Sequence, residues 1–350
     1  MDDLNLEYCD ILEKQYNNVI NDDLTLYPLY STMVDFIEVH NINKVLISLS
    51  GGVDSMVLLE LVIWLRLTSD ITIYCCHLNY NNREESVKER DFLKKYCQLK
   101  NVYFDYKDID FKRCDTKRNV YEKETRELRY DYYKEMCDKY GCTGVFLAHH
   151  KDDICENIFN NIMRGSREIT DLTVIKEKNN ILGVDIYRPM LEYFKDDVIE
   201  IANNLNIPYF LDTTPDWSCR GKMRHNIFPK CEDCYSTTYK TSLLKLGKEG
   251  DELGNIIQKY IIDDIIHKVE FVDNRRVILP NIPILKECYI LKIIMRKVCH
   301  MYGLDGMKIK CVEQLSHFLN KKFLGKLKIS LLKNHSTTIN VDTICFDRIL

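Results

Sequence analysis

The apolar residues of the first two-thirds of the chain fall into two alternating kinds of run. Some runs are short and lack a helical period, which is typical of buried strands, and others repeat every three or four residues, which is typical of core-facing helices. The strand-like runs cover residues 44–49, 71–80, 102–109 and 144–149. The helical runs cover about 54–65, 84–99, 120–140 and 152–164. This alternation predicts an α/β domain, with a parallel sheet and helices on both of its faces.

Two further regions flank that domain, which we place at residues 44–230. Residues 1–43 form an N-terminal extension, acidic at first and then mildly amphipathic, so that its apolar residues can cover one end of the core. Residues 231–350 contain helical patterns at 243–267 and 290–302, with a strand-like stretch, VEFVDNRRVILP, between them. We predict a smaller, mainly helical or mixed C-terminal region there.

The composition, with 45% hydrophobic and 29% charged residues, is that of an ordinary soluble protein. No apolar run approaches the roughly 20 residues that span a bilayer, and the acidic start MDDLNLEYCD lacks the basic flank and apolar core of a signal peptide. The fifteen cysteines are scattered, which favours reduced thiols over a disulfide scaffold. We therefore expect a cytoplasmic protein without a membrane partner. The net charge of −4 restricts any nucleic-acid surface to a local patch.

The sequence Ser-Gly-Gly-Val-Asp-Ser at residues 50–55 joins the first predicted strand to the first predicted helix. Glycines let a backbone approach a ligand closely, and the amide groups and dipole of a helix start favour an anion. The loop has no Gly-Lys-Ser/Thr, so it is not a Walker loop. It carries a carboxylate, Asp54, which can lie beside a polyphosphate only when a cation such as Mg²⁺ stands between them.

A second group of candidate residues follows the fourth predicted strand. The sequence Ala-His-His-Lys-Asp-Asp-Ile-Cys-Glu-Asn ends that strand with two histidines and opens a helix with an acidic turn. Asp153 and Glu156 share one face of the helix. An aspartate at this point is often only an N-cap, but a cap requires neither the histidines nor Glu156. Because the carboxyl ends of parallel strands meet at one edge of a sheet, we expect this group to lie near the glycine loop.

These two stretches resemble a known family. SGGVDS resembles the pyrophosphatase loop (PP-loop) of enzymes that split ATP between its α- and β-phosphates. The second stretch is similar to the Ala-His-His-x-x-Asp-Gln-x-Glu-Thr motif of the tRNA(Ile)-lysidine synthases, a branch of the PP-loop group, with Ile154 and Asn157 in place of glutamine and threonine. The resemblance implies ATP and Mg²⁺ as cofactors, with the metal near Asp54. The implied catalytic residues are Asp54, His150, Asp153 and Glu156, and the implied nucleotide contacts are Ser50, Gly51, Gly52, Val53, Asp54, Ser55 and His77.

Other stretches extend the resemblance and imply substrate contacts. HLNYNNREES is similar to the family's His-x-Asn-His-x-x-Arg stretch, with Tyr80 where the second histidine usually stands. ETRELRY is similar to the family's Glu-x-x-Arg-x-x-Arg-Tyr stretch, and YRPML to its Arg-Pro-Leu-Leu segment. The residues implied here to bind substrate are Arg83, Glu124, Arg126, Arg129 and Arg164.

A basic segment follows Trp217. Arg220, Lys222, Arg224 and His225 lie close together in the sequence beside that indole. Phosphate contacts with a stacking surface are what a single-stranded or loop RNA requires, although an ordinary solvated loop has the same composition. The lysidine synthases have a similar Arg-Asn stretch here. We therefore predict that Arg220, Lys222 and Arg224 bind RNA.

The reaction implied by the resemblance is adenylation of a base carbonyl in tRNA, followed by displacement of AMP by a nucleophile. In the lysidine synthases the base is the wobble cytidine of tRNA(Ile) with a CAU anticodon, and the nucleophile is the ε-amine of free lysine. The acidic side chain of Asp153 or Glu156 suits an incoming amine. We expect tRNA and free lysine as the partners of this chain, and we expect the C-terminal region 231–350 to take part in tRNA binding.

Four other functions remain open. A tRNA thiolase would use the same adenylate and displace AMP with sulfur, for which the CxxC of Cys231 and Cys234 is the one candidate. An amidotransferase-type synthetase would need an ammonia source, and no glutaminase motif is visible in the sequence. A non-catalytic nucleotide- or RNA-binding protein would keep the fold without the chemistry. A purely structural protein is the least favoured, because chance does not place SGGVDS and AHHKDD at successive strand ends.

Overall fold

The computed structural model describes residues 24–81, 85–109, 118–165, 167–211, 218–272, 275–302, 307–321, 326–332 and 335–348. The chain forms two compact units, Met1–Lys248 and Glu249–Leu350. The sequence placed a boundary at residue 230, whereas the two units divide after Lys248.

The first unit is built on a six-stranded sheet with the order β3–β2–β1–β4–β6–β5. Its strands are β1 (Lys44–Ser48), β2 (Thr72–Asn79), β3 (Tyr103–Asp108), β4 (Val145–Phe146), β5 (Lys178–Ile181) and β6 (Val184–Tyr187). Its helices are α1 (Pro28–Val39), α2 (Val53–Leu65), α3 (Glu85–Leu99), α4 (Arg118–Tyr140), α5 (Lys151–Arg164), α6 (Lys195–Asn204), α7 (Cys219–Lys222) and α8 (Phe228–Tyr235). A π-helical turn, Met223–Ile227, joins α7 to α8, and α9 (Thr238–Ile257) follows.

All neighbouring strands of this sheet are parallel except β5, which pairs with β6 in the antiparallel sense. The α/β fold predicted from the sequence is therefore confirmed. The central strand β1 buries Val45, Leu46 and Ile47 completely, which is why its apolar run shows no alternation. The following helix α2 is also apolar on all sides, because it is buried along almost its whole length.

The described part of the N-terminal extension belongs to the same core. Leu29, Met33 and Phe36 of α1 are buried in the apolar cluster that contains β1 and α2. The apolar residues of this stretch thus pack on the core, as its amphipathic pattern allowed.

The sheet order positions the candidate site. Strand β1 lies between β2 and β4, so the connections after β1 and after β4 leave the sheet on the two sides of a topological switch point. Ligands of open α/β sheets bind in the crevice at such a point, beyond the carboxyl ends of the strands. Residues 50–55 follow β1 there, and residues 149–156 follow β4.

The second unit has its own core and a five-stranded antiparallel sheet, with the order β7–β8–β11–β10–β9. Its strands are β7 (Glu270–Val272), β8 (Arg276–Pro280), β9 (Leu327–Leu332), β10 (His335–Ile339) and β11 (Thr343–Arg348). A π-helical turn, Gln258–Ile262, leads into α10 (Asp263–His267), and the other helices are α11 (Cys288–Met301) and α12 (Ile309–Asn320). The helical segments and the strand-like 269–280 were predicted, but β9, β10 and β11 were not.

Candidate functional site

The glycine loop has a backbone conformation that residues other than glycine rarely adopt. Gly51 has φ +87°, and a Cβ atom at this position would lie 2.7 Å from the ring of Phe210. The backbone N–H of Phe210 donates a 2.9 Å hydrogen bond to the carbonyl oxygen of Gly51. Glycine is therefore required at position 51 both for its backbone angle and for this close approach.

The Ser55 hydroxyl fixes the loop from inside. Its Oγ accepts hydrogen bonds from the backbone N–H groups of Ser50 and Gly51, at 3.2 and 3.1 Å. The same hydroxyl donates to the carbonyl oxygen of Gly52 at 3.0 Å. Helix α2 begins after Gly52, which has no side chain to cap the helix. The first-turn amides of α2 are thus directed at the space above the loop, where an anion is stabilised.

His77, at the end of β2, has a defined tautomer beside this loop. Its Nδ1 donates a 2.8 Å hydrogen bond to the carbonyl oxygen of Leu49, the residue that precedes the loop. Burial lowers the pKa of His77, although the bond to Leu49 opposes the shift. A neutral imidazole with its proton on Nδ1 leaves Nε2 as a hydrogen-bond acceptor. Such an acceptor suits the exocyclic amine of an adenine.

Asp54 lies at the centre of the charged groups. Lys195 Nζ contacts both of its carboxylate oxygens, at 2.7 and 2.6 Å, and His150 Nε2 lies 3.6 Å from it. His150 Nε2 also lies 3.5 Å from a carboxylate oxygen of Asp153, and only 2% of its side chain is exposed. His150 therefore connects the glycine loop to the acidic helix α5.

Asp152 anchors the start of helix α6. It accepts a 2.8 Å hydrogen bond from the backbone N–H of Lys195 and pairs with Lys240 Nζ at 2.7 Å. Burial would raise the pKa of Asp152, but the adjacent His150 side chain and hydrogen bonds from Lys240 and the Lys195 amide hold it well below its usual range. Asp152 is thus a permanent anion that fixes the position of Lys195.

The carboxylates of Asp153 and Glu156 are buried, with 5% and 7% of their side chains exposed. Arg220 donates to both, with a 2.6 Å bond from its Nε to Glu156, and Arg224 likewise contacts both. Burial raises the pKa of Glu156 even though Arg224 stabilises its charged form. Two acidic and two basic groups therefore form a compact cluster, which we call the carboxylate–arginine cluster.

His149, which is half-buried, pairs with the buried Arg188. Arg188, which is 3% exposed, donates a 2.9 Å hydrogen bond from Nε to His149 Nδ1. It also donates to the Lys176 carbonyl and to Asn179. Burial, together with the positive charges of Arg188 and Arg220, lowers the pKa of His149 to about 3. His149 is therefore neutral at physiological pH and carries its proton on Nε2, which makes it a hydrogen-bond donor and not a base.

A cavity of about 290 Å³ lies beside the carboxylate–arginine cluster and His149. It is lined by His149, Asp153, Glu156, Asn157, Asn160, Arg164, Ile175, Ser218, Cys219, Arg220 and Met223. Its wall combines carboxylates, guanidinium groups, side-chain amides and a neutral histidine. This wall suits a small ligand that carries both an ammonium and a carboxylate group.

The other residues predicted from the sequence fall into three groups: those at or near the cavity, those on helix α4, and those outside the described residues. Arg164 lines the cavity, and Lys222 is exposed on α7. On α4, Arg126 is exposed while Glu124 and Arg129 are half-buried, with Arg129 Nε making no hydrogen bond within the described part of the chain. Arg83 lies outside the described residues, as does Trp217.

Five residues of the site were not assigned roles from the sequence. They are His149, Asp152, Arg188, Lys195 and Lys240. His149 and Asp152 belong to a motif that was recognised, and Arg188 belongs to the Arg-Pro segment. Lys195 carried no local signal, because its partner Asp54 is 141 residues away in the chain.

The geometry of the loop fits a nucleotide polyphosphate. The uncapped start of α2, the positive φ of Gly51 and the cation Lys195 all favour a phosphate chain. Asp54 is the protein carboxylate that could bind Mg²⁺ at this loop. In proteins this ion is commonly held by one or two carboxylates together with substrate phosphates, so a single carboxylate is compatible with Mg²⁺. Among the residues that the structure describes, no group of three or more His, Cys, Asp or Glu side chains is arranged to hold a metal by itself.

The CxxC pair lies on helix α8, where Cys231 is half-buried and Cys234 is exposed. A cluster-dependent thiolase would need about four cysteine ligands. Within the described ranges, no third His, Cys, Asp or Glu side chain is arranged with these two cysteines to hold a metal.

No helix within the same ranges is both long and apolar enough to cross a membrane.

Comparison with known proteins agrees with this geometry. The PP-loop domain family matches residues 21–231, which is more than half of the chain. The chain therefore belongs to the PP-loop family, and ATP binding follows from that membership. A solved structure, a U34-tRNA thiolase (NcsA) from Methanococcus maripaludis with its [4Fe-4S] cluster, superposes with a TM-score of 0.52 and 17% identity over 64% of this chain and 78% of that one. At this identity the likeness shows the fold alone.

Several curated relatives are named tRNA(Ile)-lysidine synthase. The Thermotoga maritima protein is 28% identical over 65% of this chain and 54% of its own length, and the Streptococcus gordonii protein 32% identical over 59% and 45%. The Staphylococcus aureus protein is 26% identical over 87% of this chain and 75% of its own length. The chain thus spans about half the length of the first two of these relatives.

Proposed function

We propose that this chain is an ATP-dependent tRNA-modifying enzyme that joins free lysine to the wobble cytidine of tRNA(Ile), as the names of its relatives suggest. The base carbonyl oxygen attacks the α-phosphorus of ATP, and the bond to the β-phosphate oxygen breaks to release pyrophosphate. The ε-amine of lysine then attacks the activated ring carbon, the bond from that carbon to the AMP oxygen breaks, and the amine loses a proton.

The observation that carries this proposal is the double contact of His150. Its Nε2 lies 3.6 Å from Asp54, at the phosphate-binding loop, and 3.5 Å from Asp153, at the cavity. A phosphate site and a carboxylate-lined cavity are therefore within one side chain of each other. Both steps of the reaction need this proximity, because the activated base has to meet the amine without leaving the site.

Each group has a role that follows from its surroundings. The loop amides hold the phosphates, and a magnesium ion at Asp54 would offset charge on the departing pyrophosphate. Asp153 and Glu156 attract the ε-ammonium group of lysine into the cavity, and Glu156, whose pKa is raised by burial, accepts the proton that has to leave before the amine attacks. Arg220, in the same wall, binds the lysine carboxylate. His149, a neutral donor, can hold a base carbonyl or a phosphate oxygen in the same cavity.

RNA binding would come from the exposed cations near the cavity. Lys222 and Arg164 are the candidates that do not belong to the carboxylate–arginine cluster. Their charges lie beside a site whose chemistry acts on a base, which supports a tRNA loop as the macromolecular substrate.

The test supplies the purified chain with bulk tRNA, ATP and Mg²⁺, and adds either lysine or a sulfur donor. Nucleoside mass analysis of the tRNA is the measurement. A cytidine that gains lysine only when ATP and lysine are both present supports the proposal. A thiolated nucleoside would support the tRNA thiolase alternative, and an unchanged tRNA that still binds the protein would indicate a non-catalytic homologue.

A further inference from the structure

The phosphate-binding loop contains no cation of its own. Residues 50–55 supply amides, hydroxyls and the carboxylate of Asp54, but neither lysine nor arginine. Loops that bind nucleoside triphosphates commonly place a lysine on the outer phosphates, where charge is most concentrated. A loop without one, and with an added carboxylate, needs its cation from elsewhere in the chain.

Lys195 is in the right place to be that cation. Its Nζ lies 2.7 and 2.6 Å from the two carboxylate oxygens of Asp54, in the first turn of α2. Lys195 is also the first residue of α6, and Asp152 holds its backbone N–H at 2.8 Å. Helices α2 and α6 share one apolar cluster. The backbone of Lys195 is thus fixed beside the loop, while its side chain extends into it.

Stability alone gives little reason for this pair. The side chains of Lys195 and Asp54 are 29% and 25% exposed, and ion pairs that solvent reaches contribute little to folding. The ammonium therefore loses little when it leaves Asp54. A triphosphate that arrives on the loop amides offers it a larger negative charge at the same place.

We propose that Lys195 is the phosphate-binding lysine of this site. Without nucleotide it neutralises Asp54, and with nucleotide it moves to the outer phosphates and leaves Asp54 to the magnesium ion. This inference rests on the proposed use of ATP. It also explains how the carboxylate of Asp54 is tolerated in the site without nucleotide, since the cation that pairs with it there is part of the chain.

If the Lys195–Asp54 pair were purely structural, the expected change in ATP affinity would be the opposite. If Lys195 only held Asp54 in place, its removal would free the carboxylate for Mg²⁺, and ATP would bind as well as before or better. The two cases therefore differ in the sign of the change in ATP affinity.

The experiment is isothermal titration of the full chain with ATP and with AMP, each with Mg²⁺, for the wild type, Lys195→Met and Lys195→Arg. Lys151→Met is the matched control, because Lys151 is also the first residue of a helix and its side chain is 27% exposed. We expect Lys195→Met to weaken ATP binding about tenfold or more, the effect of one lost charge-assisted contact. AMP, which lacks the outer phosphates, should bind this variant as it binds the wild type. Lys195→Arg should restore most of the ATP affinity. Lys151→Met should change the affinity for neither ATP nor AMP.

The outcomes separate this inference from the proposed function. A wild type that binds no ATP would overturn both. A wild type that binds ATP, with Lys195→Met binding it equally well or better, would overturn the role of Lys195 alone. Equal losses for ATP and AMP would also overturn it, because they would indicate a distorted loop. If Lys195→Met does not fold, Lys195→Gln takes its place, because glutamine is polar like lysine but carries no charge.

Discussion

Arg220 Nε donates a 2.6 Å hydrogen bond to a carboxylate oxygen of Glu156, a side chain that is only 7% exposed. The sequence pattern assigned Arg220 to an RNA backbone and Glu156 to an amine, yet the structure joins the two in one cluster. The arginine therefore belongs to the wall of the cavity. This relationship separates the residues that should govern the small co-substrate from those that should govern RNA.

Glu156→Gln should weaken the use of lysine while ATP binding is retained. Glutamine keeps the size of the side chain but removes the charge that attracts an ammonium group, so the apparent KM for lysine should rise about tenfold or more. Steady-state kinetics with varied lysine measures this effect. Glu192→Gln is the control, because Glu192 is 83% exposed at its side chain and pairs only loosely with Lys151, at 3.9 Å. An unchanged lysine KM in Glu156→Gln would remove Glu156 from the amine site.

Lys222→Ala should reduce the salt dependence of tRNA binding by about one unit of slope, as expected for one lost phosphate contact. Arg220→Ala should instead impair lysine use and leave that slope nearly unchanged, because its guanidinium is engaged by buried carboxylates. Filter binding across a salt series gives the slopes. Lys107→Ala, on the edge strand β3, is the control. Superimposable curves for Lys222→Ala and the wild type would show that Lys222 is an ordinary solvated residue.

His149 should make the first unit sensitive to mild acid. Its pKa is about 3 in the folded chain and about 6.5 when unfolded, so between these values the unfolded chain binds a proton that the folded chain does not. This contribution to stability is complete above pH 6.5 and is lost as the pH falls, by at most about 1.4 kcal/mol per pH unit.

His149→Asn should therefore lose less stability than the wild type between pH 7 and pH 5. Denaturant unfolding followed by tryptophan fluorescence reports on the first unit, since both tryptophans lie within Met1–Lys248. His225→Asn, at an exposed position, is the control for the loss of a histidine as such. Identical pH dependence in His149→Asn and the wild type would contradict the assignment of His149 as a neutral group.

The double variant Cys231→Ser/Cys234→Ser should keep its activity with lysine within a few-fold of the wild type. An amine nucleophile needs neither thiol, and of the two cysteines on α8 Cys231 is half-buried and Cys234 exposed. The measurement is lysine incorporation into tRNA together with metal analysis of both proteins. Loss of product together with loss of bound iron would favour sulfur transfer.

The sequence was most informative where the signal was local. The unbroken apolar run of β1 and the all-apolar α2 could only be buried, so the strand, the loop and the helix followed directly. In the second unit, β9 pairs with β10 and β10 with β11, each across a short connection, and β11 also pairs with β8, which is distant in the sequence. These strands mix polar and apolar residues, so their apolar pattern is weaker than that of β1, and they were not predicted.

The site divides in the same way. Asp54 and the carboxylates of α5 lie in contiguous motifs and were recognised as chemistry. Lys195 was not, because a lone lysine at a helix start looks like a solvated residue until the fold brings it to Asp54. The arginines near residue 220 were recognised as cations, but the cluster that they form with Asp153 and Glu156 was not. The sequence shows that a side chain is charged, but it does not show which opposite charge lies next to it in the fold.

Modification of tRNA by the proposed route requires that the chain cleave ATP between its α- and β-phosphates. The identity of the products from α-labelled ATP with bulk tRNA and lysine, resolved by chromatography, tests this cleavage. We expect AMP and pyrophosphate that depend on tRNA, and no AMP from Asp54→Asn, whose fold should stay intact because its ion pair is partly exposed. ADP in place of AMP, or AMP formation by Asp54→Asn at the wild-type rate, would contradict it.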